Sequence, residues 1–209
     1  MRDRLVDLSL RDFAHRLSAS DPTPGGGSAS AYAGALGASL AGMVGRIALR
    51  GGEPRPELAG LIDEADDLRA HFLQLVQDDS AAYDQVRAAL KLPKTNEVEK
   101  SARSEAVQSA LLAASRVPLD AAKAGRRLLQ LCDRLLEHAT TAAISDAGVG
   151  ALLAETAIRG AALNVMINLA SLRNATQVKA LSEELDQVLA GADALRGGVI
   201  ERVEARIAR

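Results

Sequence analysis

With 209 residues, 48% of them apolar, the chain is long enough for one large domain with a substantial core. Its formal charge of −2, from 25 basic and 27 acidic residues, excludes the basic excess of a phosphate-backbone binder, so no nucleic-acid partner is expected. A single cysteine, Cys132, excludes an internal disulfide and a cysteine-rich metal site, and His15, His71 and His138 show no ligand spacing.

Aromatic side chains make up only 2% of the chain, so the core is assembled from Ala, Leu, Val and Ile. Ala and Leu favour helices, whereas aromatic and β-branched residues favour strands, and no stretch alternates with period two. The prediction is an all-α fold: one domain over residues 1–209, a bundle of long helices with Ala/Gly-rich helices at its centre. A first short helix is expected over residues 8–17, with Leu10, Phe13, Ala14 and Leu17 on one face. Residues 1–12 are charged throughout, which argues against a signal peptide. Pro22, Pro24 and the run Gly25-Gly26-Gly27 then force a shaped loop, with Ser28 as N-cap of a second helix over 28–49. In that helix Ser30, Gly34, Ala38, Ala41 and Gly45 form a small side, and Leu36, Leu40, Met43 and Ile47 an apolar side. A helix of this kind is enclosed by neighbours. Its length suits a membrane span, but Ala, Gly and Ser contribute little insertion energy and Arg46 opposes insertion. A buried helix in a soluble, cytoplasmic protein is the expectation.

Gly51-Gly52, Pro54 and Pro56 end the second helix, and a third follows over 57–90 with Leu61, Ala65, Leu68, Phe72, Leu75 and Val76 as its stripe. Leu92-Pro93 breaks it. A fourth helix begins near Asn96 or Glu97, and Pro118 is expected to kink or interrupt it, because proline removes a hydrogen bond and crowds the preceding turn. A fifth helix over 145–172 has Gly150, Ala154, Ala157 and Ala161 as its close-packing side. One last helix is expected over 177–207, with Leu181, Leu185, Val188, Ala192, Leu195 and Val199 facing inward.

Four features carry candidate chemistry. The loop Pro24-Gly25-Gly26-Gly27-Ser28 opens a helix, so its backbone amides can meet a ligand; a plain tight turn is the alternative. No strand precedes it and no Lys-Ser or Lys-Thr pair follows, so it is neither a dinucleotide fingerprint nor a P-loop. Among the carboxylates, Asp79 shares a helix face with Tyr83, and Asp146 enters a helix almost free of charge, where it serves either catalysis or the helix dipole. Asn164 and Asn168, one turn apart in an apolar helix, need partners: either a polar heterocycle or a neighbouring helix. Lys94, Lys100 and Arg103 cluster around the Leu-Pro-Lys break, either holding an anionic substrate tail or simply solvated.

Taken in order, these motifs resemble one family. Pro22-Thr23-Pro24-Gly25-Gly26-Gly27-Ser28 and the Ala/Gly-rich helix after it are similar to the opening signature of formiminotetrahydrofolate cyclodeaminases and methenyltetrahydrofolate cyclohydrolases. The likeness continues through Asp79-Ser80-Ala81-Ala82-Tyr83-Asp84, Leu92-Pro93-Lys94-Thr95, Glu99-Lys100, Arg103, Val117-Pro118-Leu119, Ser145-Asp146 and Asn164-Val165-Met166-Ile167-Asn168. It covers residues 10–173, and the ordered set is far more specific than any single motif. Ile144 to Val149 and Ala161 to Val165 look more like the stand-alone bacterial cyclohydrolases than the cyclodeaminase half of the animal bifunctional enzyme.

The resemblance implies a helical homodimer that hydrolyses 5,10-methenyltetrahydrofolate to formyltetrahydrofolate, with no cofactor and no metal. It implies Asp79 and Asp146 as the catalytic carboxylates. The glycine loop from Pro24 to Ser28, Lys94, Arg103, Asn164 and Asn168 would bind substrate. The alternatives are a formiminotetrahydrofolate cyclodeaminase that releases ammonia, and a non-catalytic folate-binding or structural relative. Two departures stand out: Ala139-Thr140 replaces a Gly-Asn pair, and Gln77 stands where some members carry a second Asp.

Overall fold

The Ala- and Leu-rich composition produces helices throughout: the computed structural model describes residues 4–50 and 55–208, and none of these lies in a strand. A 3-10 turn, Leu5–Asp7, precedes α1 (Leu10–Leu17), α2 (Gly26–Leu49), α3 (Pro56–Leu90) and α4 (Glu97–Leu136). A second 3-10 turn, Thr141–Ala143, leads into α5 (Ile144–Leu169), α6 (Ala175–Leu189) and α7 (Ala192–Ile207). The break expected at Gly51-Gly52 and Pro54 lies outside the described residues. Pro56 sits in the first turn of α3, where it has no helical hydrogen bond to lose.

Small residues let the central helices touch. Ser30, Gly34, Ala38, Ala41 and Gly45 of α2 are all buried, and the fully buried Phe72 ring of α3 fills the space over Gly34. On α5, Gly150, Ala154, Ala157 and Ala161 are likewise buried, and Gly37 of α2 meets the Gly150 carbonyl. Leu128, Leu129, Leu131 and Leu135 of α4 close the core with the stripe of α3. α2, and α5 together with the 3-10 turn before it, are long and apolar enough to cross a membrane by length and composition; here they form the centre of the bundle.

Four expectations about the helices are corrected. The large side of α2 is not enclosed: Leu36 and Met43 are exposed, as are Val149, Leu152, Leu163, Met166 and Ile167 on α5. α1 buries none of its residues, and of its predicted face Phe13 packs, against Tyr32 at a ring-centroid distance of 5.2 Å, while Leu10 is 72% exposed. The last helix is two helices, because the chain turns at Gly191, whose φ of 67° is a left-handed conformation that glycine adopts without steric cost. Of the predicted inward residues, Leu181, Leu185, Val188, Ala192 and Val199 are nevertheless buried, and Leu195 is partly buried against the core.

Pro118 does not interrupt the fourth helix: α4 runs unbroken from Glu97 to Leu136. The proline leaves the Ala114 carbonyl without its helical donor. Asn168 of α5 supplies one: its Nδ2 donates to the Ala114 oxygen at 2.9 Å. The partner that the sequence demanded for Asn168 is thus the carbonyl that proline released.

This pairing predicts a coupled stability effect. Asn168→Leu orphans a buried carbonyl and should lower unfolding free energy by roughly 1–3 kcal/mol in chemical denaturation. Adding Pro118→Ala to that variant restores the backbone N–H and should recover most of the loss.

Candidate active site

α2 begins without a side-chain cap: Gly25 is its N-cap residue, and Gly26 and Gly27 open its first turn. Four amides at a helix start lack intrahelical partners, and together they favour negative charge. Asp79 of α3 meets that need. Its carboxylate lies so close to Gly27 that a Cβ there would fall 2.0 Å from Asp79 Oδ1, so only glycine leaves room. Ser28, expected as the N-cap, instead sits inside the first turn, completely buried. Its hydroxyl donates to Asp79 Oδ2 at 2.8 Å and lies 3.3 Å from the Val76 carbonyl oxygen and 3.4 Å from Ser80 Oγ.

Burial pushes the Asp79 carboxyl above its ordinary range, against the opposing pull of the Ser28 hydroxyl and backbone amide. A half-buried carboxyl poised in this way, held by the Ser28 amide and hydroxyl at the glycine-rich start of α2, can exchange a proton with a bound reactant. Asn164 lies over Gly26 on the other side, its Nδ2 donating to the Gly160 carbonyl at 2.8 Å. α3, α4 and α5 continue past the point where α2 starts, so Gly26, Gly27, Asp79, Asn164 and Asn168 gather at one end of the bundle.

The other predicted site residues lie elsewhere. Asp146 stands in the first turn of α5, eighteen residues before Asn164, which is about 27 Å along the helix axis. Within one chain the two aspartates therefore do not converge, contrary to the expectation. The same end of α5 holds the departure at Ala139-Thr140, where the Ala139 carbonyl accepts from Arg206. Arg103 is committed: its Nε and Nη2 donate to the Leu90 carbonyl at 3.1 and 3.0 Å and cap α3. Leu90 lies eleven residues beyond Asp79 on α3, about 16 Å along the axis. Lys100 pairs with Glu97, and Lys94 is exposed in the same distant turn. Pro24 and Thr23 line a separate cavity of about 270 Å³ with Arg4, Arg16, Gln77 and Ser80. Gln77 there accepts the Leu5 amide at 2.8 Å. Cys132 is buried, and burial pushes its thiol up to about 12. No group of three or more His, Cys, Asp and Glu among the described residues is placed to hold a metal ion.

The direction of the Asp79 shift gives a signed prediction. The folded protein holds this proton more tightly than the unfolded chain, so the group's contribution to stability falls as pH rises from about 3.8 through its raised folded value. Asp79→Asn removes that fall. In denaturation at acidic and neutral pH, the variant should gain on the wild type as pH rises and be no less stable at pH 7.

This geometry sits in a chain with identifiable relatives. The formiminotransferase-cyclodeaminase pattern matches residues 9–187. The chain is 35% identical over 202 residues to the methenyltetrahydrofolate cyclohydrolase of Methylorubrum extorquens, covering 95% of this chain and 97% of that protein. It is 32% identical over 205 residues to the formimidoyltransferase-cyclodeaminase of Rattus norvegicus, covering 97% of this chain and 38% of that longer protein. The crystal structure of a formiminotetrahydrofolate cyclodeaminase from Thermotoga maritima matches with a TM-score of 0.80 and 27% identity, covering 97% of this chain and 96% of that one. Shared motifs, a near end-to-end match and a common all-helical fold place the chain in the formiminotransferase-cyclodeaminase family.

Proposed function

We propose that this chain hydrolyses 5,10-methenyltetrahydrofolate to formyltetrahydrofolate, as a cytoplasmic homodimer with no metal or further cofactor. The observation that carries the reading is Asp79: a carboxylate with a raised pKa, packed against Gly27 and held by Ser28, in a family whose cyclohydrolase member matches this chain almost end to end.

The substrate carries a cationic amidinium carbon between two nitrogens. The Asp79 carboxylate complements that charge and accepts a proton from a water molecule as its oxygen bonds to the carbon. The resulting tetrahedral adduct collapses by breaking one carbon–nitrogen bond. Protonated Asp79 returns the proton to the departing nitrogen while the adduct's hydroxyl loses its own proton to solvent, leaving the formyl group on the other nitrogen. Gly27 lets the carboxylate sit at the start of α2, where the Ser28 amide and hydroxyl hold its orientation.

The exposed apolar stripes of α2 and α5 support a second copy as their cover. A two-fold axis crossing these helices near their midpoints would set one subunit's Asp146 end against the other's Asp79 end. In that arrangement Asp146 joins the cleft from across the interface, where it adds negative charge facing the cationic carbon. Cyclodeamination of formiminotetrahydrofolate is the second reading, favoured by the Thermotoga maritima structure. It closes the same ring, with ammonia as leaving group.

Purified protein should accelerate loss of methenyl absorbance above the spontaneous rate, and Asp79→Asn should cut that rate by roughly 10²–10⁴-fold. Ammonia release from the formimino compound without methenyl hydrolysis would replace this reading with the second, and folate binding without any turnover would leave a non-catalytic relative. Co-expression of Asp79→Asn with Asp146→Asn tests the shared site: mixed dimers carry one intact site, so activity should return to about a quarter of wild type. Activity no higher than in either single variant would put Asp146 outside the cleft.

A further inference from the structure

Asn164 and Asn168 each carry an amide with one donating and one accepting end, and the structure decides which end is free. Asn164 Nδ2 donates to the Gly160 carbonyl at 2.8 Å, and Asn168 Nδ2 donates to the Ala114 carbonyl at 2.9 Å. A backbone carbonyl can only accept, so both amides are locked with nitrogen inward. Their Oδ1 atoms accept nothing from any described residue. Nor are these oxygens sealed from solvent, since among the described residues the buried unpartnered side-chain atoms are Arg126 Nη1 and Arg196 Nε.

Two fixed, open acceptors thus stand one helical turn apart on α5, at the end of the bundle where Asp79 meets Gly27. No hydrogen bond among the described residues uses their oxygens. We propose that the Oδ1 atoms of Asn164 and Asn168 form an acceptor pair that reads N–H donors along one edge of a reduced pteridine, chiefly its 2-amino group. This rests on the folate reading and specifies how the ring is oriented over Asp79. A heterocycle that offers acceptors along that edge would meet two oxygen lone pairs and be rejected. The orientation is stiff because turning either amide over would set its oxygen against a carbonyl oxygen and lose the hydrogen bond that holds it.

The test is a cycle between protein and ligand, read by binding calorimetry with tetrahydrofolate and its 2-desamino-2-methyl analogue. The wild type should bind tetrahydrofolate more tightly than the analogue by roughly tenfold or more. Asn164→Leu and Asn168→Leu should weaken tetrahydrofolate binding and bring the ratio between the two compounds towards one in at least one of the variants. A variant that merely loosens the fold loses both compounds alike and keeps the ratio. Asn168→Leu is also measured with Pro118→Ala, which relieves the Ala114 carbonyl and keeps that variant folded. Equal binding of the two compounds by the wild type, or an undiminished ratio in both variants, overturns the proposal and leaves the cyclohydrolase reading intact. Failure of the wild type to bind either compound overturns both.

Discussion

The site depends on one contact, the approach of the Asp79 carboxylate to the opening turn of α2. A helix that starts on three glycines has no capping side chain of its own, and its free amides need a partner. Asp79 supplies the charge from α3, and the missing Cβ at Gly27 supplies the space. The packing that brings the carboxylate there also withdraws it from water, and that burial raises its pKa against the opposing pull of Ser28. Stability and reactivity are opposed at this position: the fold would be easier to build with a neutral group, while proton transfer needs the ionisable one.

A second exchange of hydrogen bonds holds the wall beside it. Pro118 denies Ala114 its helical donor, and Asn168 of the neighbouring helix provides a substitute. This ties α4 to α5 at the level of the cleft and consumes the donor half of an amide whose acceptor half stays open. Arg103 makes a comparable trade at the tip of the α3–α4 hairpin, where it caps the carbonyl of Leu90 instead of remaining available to an anion. Polar residues that look like ligand groups along the sequence are in part the fasteners of long helices.

The central helices show why small residues dominate this core. Gly and Ala on the inner sides of α2 and α5 let backbones come close, so little apolar area is left for large side chains to cover inside. Those larger side chains face outward, as Leu36, Met43, Leu152 and Leu163 do. An apolar outer face on the two central helices asks for cover that one chain does not provide, and a second copy supplies it in the proposed assembly.

The sequence alone determined the helical class, the positions of the long helices and the importance of the glycine loop. Composition and three- to four-residue periodicity act locally, and they registered in α3 and in the small side of α2. The family likeness was equally legible, because its motifs are strings of neighbouring residues. Only the tertiary structure decided which of the named residues meet. It joined Asp79 to Gly27 and Ser28 across some fifty positions and tied Asn168 to Ala114 across fifty-four. It also separated Asp146 from Asp79 by most of a helix and split the last helix at Gly191. Those outcomes depend on which side of each helix faces which neighbour, a property of packing between distant segments that no local pattern of residue types encodes.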